Sequence, residues 1–265
     1  MSIKVVCCHY KPEYKDPLAT VQKVNALLEK YDSCDILVLP EMALPGYKFA
    51  DFSDIKDYLE KPQQGYPTFD LCSSQAKRLG CYVFCGYAEI DQELGYNSMM
   101  VVNPQGQLIK NSRKKHLFFV DETWATGGEC YNTVEIEIKG KNYTAGLGIC
   151  MDLDPSEAQE PFGEFGLASA WEKADIDFGV FCTNWTYSTN NLHNSHSSLL
   201  NYWITRLQPL LKEGKPRYFI SANRIGEEQG ISYMGSSSVI ELGENPQVAA
   251  CLGVKDQASL FCEVN

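Results

Sequence analysis

Short apolar runs separated by amphipathic helical stretches set the strongest limit on what this chain can fold into. IKVVCCH (residues 3–9) and DILVLP (35–40) read as buried strands, and between them Asp16-Pro17 supplies the N-cap and first turn of a helix. Leu18, Val21, Val24, Leu27 and Leu28 recur behind that pair at helical spacing. A second amphipathic helix covers residues 68–79 and closes at Gly80, and CYVFCGYAEI (81–90) is the third strand. Two hairpins follow, residues 96–110 around an Asn-Pro-Gln-Gly turn and residues 134–150 around Lys139-Gly140. The alternation then resumes, with helices at 157–174 and 192–213 and strands at 176–183 and 217–223. Three more strands close the chain near 232–241, 247–253 and 258–264. This pattern predicts an α/β chain in which a mixed sheet, or a pair of sheets, is faced by helices. No linker, low-complexity tract or fixed-period repeat interrupts it, so residues 1–265 read as one domain.

With 44% apolar residues the chain can bury a core. A net charge of −11, without any long basic run, argues against nucleic acid or an anionic membrane as partner. No apolar run approaches the length of a membrane span. The first residues show neither a signal-peptide core nor a transit segment, and eleven cysteines scattered through strands and helices read as reduced thiols. A cytoplasmic protein is expected.

The stretch TAGLGICMDLDP (144–155) is a strand of small and apolar residues that stops at one cysteine, Cys150. A strand-to-turn junction presents a side chain at the sheet edge, and the N–H groups beyond it can hold a developing oxyanion. An inert core thiol is the ordinary alternative. Glu41 follows the buried strand DILVLP, in a loop locked by prolines and a glycine. Burial there raises a carboxylate toward the range of a general base, whereas a solvated loop glutamate has no such role. In NSRKKHLFFV, Lys114 lies in a basic triplet followed by apolar residues that press the turn on the core, so one lysine can point inward. Glu122, in VDETWATGGE, is a capping or surface carboxylate unless another feature recruits it. Of the four histidines, His193 and His196 are three apart on an expected helix, but no HExxH or paired CxxC accompanies them. No metal site is expected. GxSxG, GxGxxG and P-loop patterns are absent, so no nucleotide cofactor is indicated.

Taken together, LPEMALPGY (39–47), SRKKHLFF (112–119) and GLGICMD (146–152) resemble, in order and separation, the three signatures of the nitrilase, or carbon–nitrogen hydrolase, superfamily. Within it the chain is most similar to the yeast-type branch of N-terminal asparagine/glutamine amidases, through PE-x-AL-x-GY-x-F (40–49), YNS-x-x-VVNPQG (96–106), GICMDL-x-P (148–155) and NYWI-x-R (201–206). Nitrile-hydrolysing members typically carry tryptophan and glutamate after the nucleophile, where this chain has Met151 and Asp152. The resemblance implies a four-layer α-β-β-α sandwich and a cofactor-free amidase. Its nucleophile is Cys150, its base Glu41 and its cation Lys114. Glu122 is then the second carboxylate, orienting Lys114 or the substrate amide, and the Met151 backbone N–H helps hold the oxyanion. The implied substrates are proteins or peptides with a free N-terminal Asn or Gln, converted to Asp or Glu with loss of ammonia, as in the N-degron pathway. Recognition of their α-amine calls for carboxylates or carbonyls near the pocket mouth, for which position and charge suggest Asp152 first and Asp121 second. Trp185 is expected to wall the pocket. Many members pair into homodimers, and the sequence leaves that open. The alternatives are a small-molecule ω-amidase or carbamoylase of the same superfamily, or a non-catalytic binding protein that keeps the fold.

Overall fold

The computed structural model describes every residue except 1, 157, 158, 162 and 188–194. The first half runs β1 (Ile3–His9), α1 (Pro17–Leu28), β2 (Ile36–Leu39), a short α2 (Phe52–Ile55), α3 (Pro67–Leu79), β3 (Tyr82–Asp91), β4 (Leu94–Val102) and β5 (Leu108–Arg113). The second runs β6 (Asn132–Ile138), β7 (Lys141–Ile149), α4 (Gly166–Lys173), β8 (Phe178–Thr183), α5 (His196–Arg206) and β9 (Arg217–Asn223). Two short strands, β10 (Glu227–Glu228) and β11 (Ile231–Ser232), precede β12 (Ser238–Leu242), β13 (Gln247–Cys251) and β14 (Ala258–Val264).

The long strands form two six-stranded sheets, β14-β1-β2-β3-β4-β5 and β13-β12-β9-β8-β7-β6. In each, three consecutive central strands are parallel, β1-β2-β3 in one and β7-β8-β9 in the other, and the flanking pairs are antiparallel. Parallel strands buried on both faces need continuous apolar runs, which is what IKVVCCH, ILVL and FGVFCT provide. Alternate residues of each strand face opposite ways. Val5, Cys7, Ile36, Val38 and Phe84 of the first sheet meet the second sheet in one core, while Val6, Cys8, Leu37 and Leu39 pack under Val24, Leu28, Cys72 and Ala76 of α1 and α3. α4 and α5 cover the far face of the second sheet through Trp171 and Trp203. The result is the expected α-β-β-α sandwich.

The small residues before Cys150 have a packing cause. A Cβ on Gly146, Gly148 or Gly179 would meet the Trp171 ring at 2.5, 3.0 and 2.5 Å, so the indole of α4 lies flat on a patch without side chains. Several boundaries depart from the sequence reading. The helix expected over 157–174 is confined to Gly166–Lys173 among the described residues. The one expected over 192–213 starts after the Ser195 cap, residues 192–194 lying outside the described set, and ends at Arg206 ahead of a 3₁₀ turn containing Pro209. The strand expected over 232–241 breaks because Gly235 and Ser236 take positive φ, 55° and 63°. Leu18 is 66% exposed, at the solvent side of its helix rather than within the apolar stripe. Among the described residues no helix is long and apolar enough to cross a membrane.

Candidate active site

Four strand ends converge. Glu41 follows β2 and Lys114 follows β5 in the first sheet, while Cys150 follows β7 and Asn184 follows β8 in the second. Glu41 can approach because β3 has glycine opposite it. A Cβ on Gly86 would lie 2.5 Å from the Glu41 Cα and 2.7 Å from the Pro40 carbonyl oxygen. The close approach is secured by Gly86 N–H donating to Pro40 O (3.2 Å) and Ala43 N–H donating to Gly86 O (2.9 Å).

Lys114, Glu41 and Asp121 are all fully buried. The Lys114 ammonium donates to Glu41 Oε1 at 2.7 Å and to Asp121 Oδ2 at 2.6 Å. Asn97 Nδ2 bridges the same two carboxylates, at 2.7 Å to Glu41 Oε1 and 3.0 Å to Asp121 Oδ1. Asn184 backbone N–H donates to Glu41 Oε2 at 2.8 Å. Phe118 N–H and Tyr47 OH complete the shell of Asp121 at 3.0 and 3.3 Å. Burial raises Glu41 above its ordinary 4.5, and the adjacent Lys114 charge resists that rise. For Lys114 burial works downward, but Asp121 and Glu41 outweigh it and hold the ammonium above its ordinary 10.5.

Cys150 opens a 3₁₀ turn and takes φ 44°, a left-handed conformation unusual for a side chain of this kind. The first N–H groups of such a turn lack acceptors within it, and Met151 supplies one of them beside the thiol. Burial, then the Glu41 charge, push the thiol up to about 12, against the pull of Lys114, Thr183 and the Asn184 N–H. A cavity of about 130 Å³ opens on the thiol, lined by Phe118, Cys150, Met151, Asp154, Asn184, Trp185 and Thr186. Trp185 lines this cavity and stands edge-on to Trp203.

Two carboxylates expected in the site are placed differently. Glu122 is exposed and does not touch the Lys114 ammonium; its neighbour Asp121 holds that position instead. Asp121 is correspondingly committed to Lys114 and Asn97 rather than to the pocket mouth. Asp152 is buried, and both its oxygens are taken by backbone: Oδ1 accepts from Lys115 N–H (2.9 Å) and His116 N–H (3.0 Å), and Oδ2 from Ile149 N–H (3.0 Å). It ties the segment after Lys114 to the strand before Cys150 and is not among the residues lining the cavity on Cys150. The carboxylate that does line the cavity is Asp154, two residues on, which also bonds Tyr202. Asn97 is a polar residue inside an apolar strand, the one sequence signal of its place in this cluster. His196 Nδ1 pairs with Ser236 Oγ at 2.9 Å, and His193 lies outside the described residues.

A buried base and cation beside a cysteine at a strand end, on this sandwich, define a thiol hydrolase. The model of the carbon–nitrogen hydrolase family matches residues 4–243, and the chain belongs to that family. It is 26% identical to the protein N-terminal amidase of Schizosaccharomyces pombe over 91% of this chain and 92% of the relative. It is 29% identical to the protein N-terminal amidase of Saccharomyces cerevisiae over 91% of this chain, spanning 55% of that longer relative. Solved structures of an N-terminal amidase with Asn-Glu-Ala and with Gln-Val peptides superpose with TM-score 0.88 at 21% identity, covering 99% of this chain and 97% of theirs. At that identity the structural likeness is one of fold.

Proposed function

We propose that this chain is a cysteine amidohydrolase that converts the N-terminal Asn or Gln of a protein or peptide to Asp or Glu. The observation that carries the reading is a thiol beside the Glu41–Lys114–Asp121 cluster, in a small cavity whose charged lining group among the described residues is the anion Asp154. An α-ammonium suits that anion. A small-molecule ω-amidase substrate bearing carboxylates instead calls for a cation, and none lines the cavity among the described residues. The names of the yeast relatives support the same substrate class.

In the proposed reaction the sulfur of Cys150 attacks the side-chain amide carbon while its proton passes to Glu41. The carbonyl oxygen becomes an oxyanion held by the Lys114 ammonium and the Met151 N–H; one such donor is typically worth about 3 kcal/mol. Glu41 returns the proton to the amide nitrogen, the carbon–nitrogen bond breaks and ammonia departs, leaving a thioester. Water then gives a proton to Glu41 and attacks the thioester carbon. The carbon–sulfur bond breaks, the sulfur recovers that proton, and the new carboxylic acid leaves, losing its own proton to solvent. Asp121 and Asn97 act through Lys114 and Glu41 by fixing where their charges sit. All eleven cysteines are free, and the enzyme is assigned to the cytoplasm, where thiols stay reduced.

The test is ammonia release from short peptides beginning with Asn or Gln, each beside its N-acetylated twin, and from free glutamine. Release from the free-amine peptides alone is expected. Release from the free amino acid alone moves the assignment to a small-molecule amidase.

A further inference from the structure

Asn184 is 1% exposed, yet neither its Oδ1 nor its Nδ2 has a hydrogen-bond partner. A buried carboxamide with all its bonds unmade is unfavourable, so such groups are nearly always satisfied by protein, water or ligand. Asn184 lines the same cavity as Cys150 and Asp154. Its backbone is pinned on both sides, by Asn184 N–H to Glu41 Oε2 at 2.8 Å and by Trp185 N–H to Asn223 Oδ1 at 3.0 Å. The residue is therefore held at the cavity with both carboxamide atoms buried and unpartnered.

Resting on the reading above, we propose that Asn184 recognises the free N-terminus of the substrate, its Oδ1 accepting from the α-ammonium and its Nδ2 donating to the first backbone carbonyl. A chain terminus offers a donor and an acceptor on neighbouring atoms, N and C=O either side of one Cα. A carboxamide presents the complementary acceptor and donor across one carbon. The substrate's side-chain amide is not the better partner, because its oxygen is taken by Lys114 and Met151 and its nitrogen must receive the Glu41 proton. Asp154 supplies charge for the ammonium but cannot donate to the carbonyl. Together the two residues demand an amine and an amide at once.

The experiment compares kcat/KM for three substrates: an Asn-initiated peptide, its N-acetyl twin, and an analogue whose first peptide carbonyl is reduced to CH₂. Wild type prefers the first strongly over both others. In Asn184→Leu, and in Asn184→Ala as a second variant less dependent on packing, both preferences fall about 10- to 100-fold. In Asp154→Asn only the preference over the acetylated twin falls. A purely structural role for Asn184 lowers all three rates together and leaves both ratios intact; that result, in variants melting near wild type, overturns the inference alone. Failure of wild type to release ammonia from any N-terminal peptide overturns the functional reading and this inference with it.

Discussion

Asp121 and Glu122 are adjacent in the chain and on opposite sides of the protein boundary: Asp121 is fully buried and 2.6 Å from the Lys114 ammonium, whereas Glu122 is exposed. They lie on a 3₁₀ turn, Asp121–Thr123, where successive side chains diverge by about a third of a turn, so only one of two neighbours can face the site. Asp121→Asn should lower kcat/KM on the order of 10²-fold by loosening Lys114. Glu122→Gln should leave it within twofold. Steady-state ammonia release on the two purified variants decides, and the reverse order would return the role to Glu122.

The pH profile should be bell-shaped. Glu41 must be ionised to take the thiol proton, and because burial raises it, the acid limb lies above its ordinary 4.5. The basic limb belongs to the substrate, whose α-ammonium titrates near 8 and loses its attraction to Asp154 as it does. Lys114, held above 10.5, contributes no limb in this range. A basic limb that stays put when the substrate amine is made less basic would count against amine recognition.

Asp152 gives a stability prediction of definite sign. Its folded value is raised from 3.8 to about 6 by burial, against the three backbone N–H groups. The stability it contributes is therefore fully present below 3.8 and lost as pH rises through about 6. Asp152→Asn sets an NH₂ against backbone N–H and should destabilise by about 1–3 kcal/mol at pH 7. The wild-type advantage should widen on going from pH 7 to pH 5, measured by denaturant titration. The variant should keep the preference for free over acetylated peptides; its collapse would restore Asp152 as the amine ligand.

Gly86→Ala forces a methyl group to within 2.5 Å of the Glu41 Cα and 3.0 Å of the Met42 nitrogen. The strand has nowhere to yield but through the base itself. An activity loss of about 10²-fold is expected, because displacement of a catalytic group by about an ångström has that effect. The accompanying destabilisation should be about 1–3 kcal/mol. Kinetics and melting on one preparation separate the two, and full activity would show that Glu41 tolerates the shift.

Most elements were legible because their signals are local: Asp16 caps α1 through a 3.0 Å bond to Ala19 N–H, and Gly80 closes α3 in the left-handed region. Cys150, Glu41 and Lys114 stood at strand ends within recognisable motifs, and the structure brings them together. The surrounding carboxylates were not legible in the same way. Asp152 sits beside the nucleophile in sequence, but its direction is set by backbone N–H groups from residues 115 and 116, which periodicity does not reveal. The turn holding Asp121 and Glu122 is too short to carry an amphipathic pattern. Asn184 carries no local sequence signal, because what marks it is the lack of hydrogen-bond partners in the folded chain.

Glu41 and Lys114, the proposed base and cation, come from one sheet; Cys150, the proposed nucleophile, and Asn184 come from the other. Neither half of the sandwich holds all of these residues, and among the described residues no salt bridge or backbone ladder joins the two sheets across the centre of the core. Catalysis in this protein therefore reports on how well two separately hydrogen-bonded slabs are seated on each other. A substitution deep between them, far from any substrate, can silence the enzyme by letting one slab slide, while every strand remains intact.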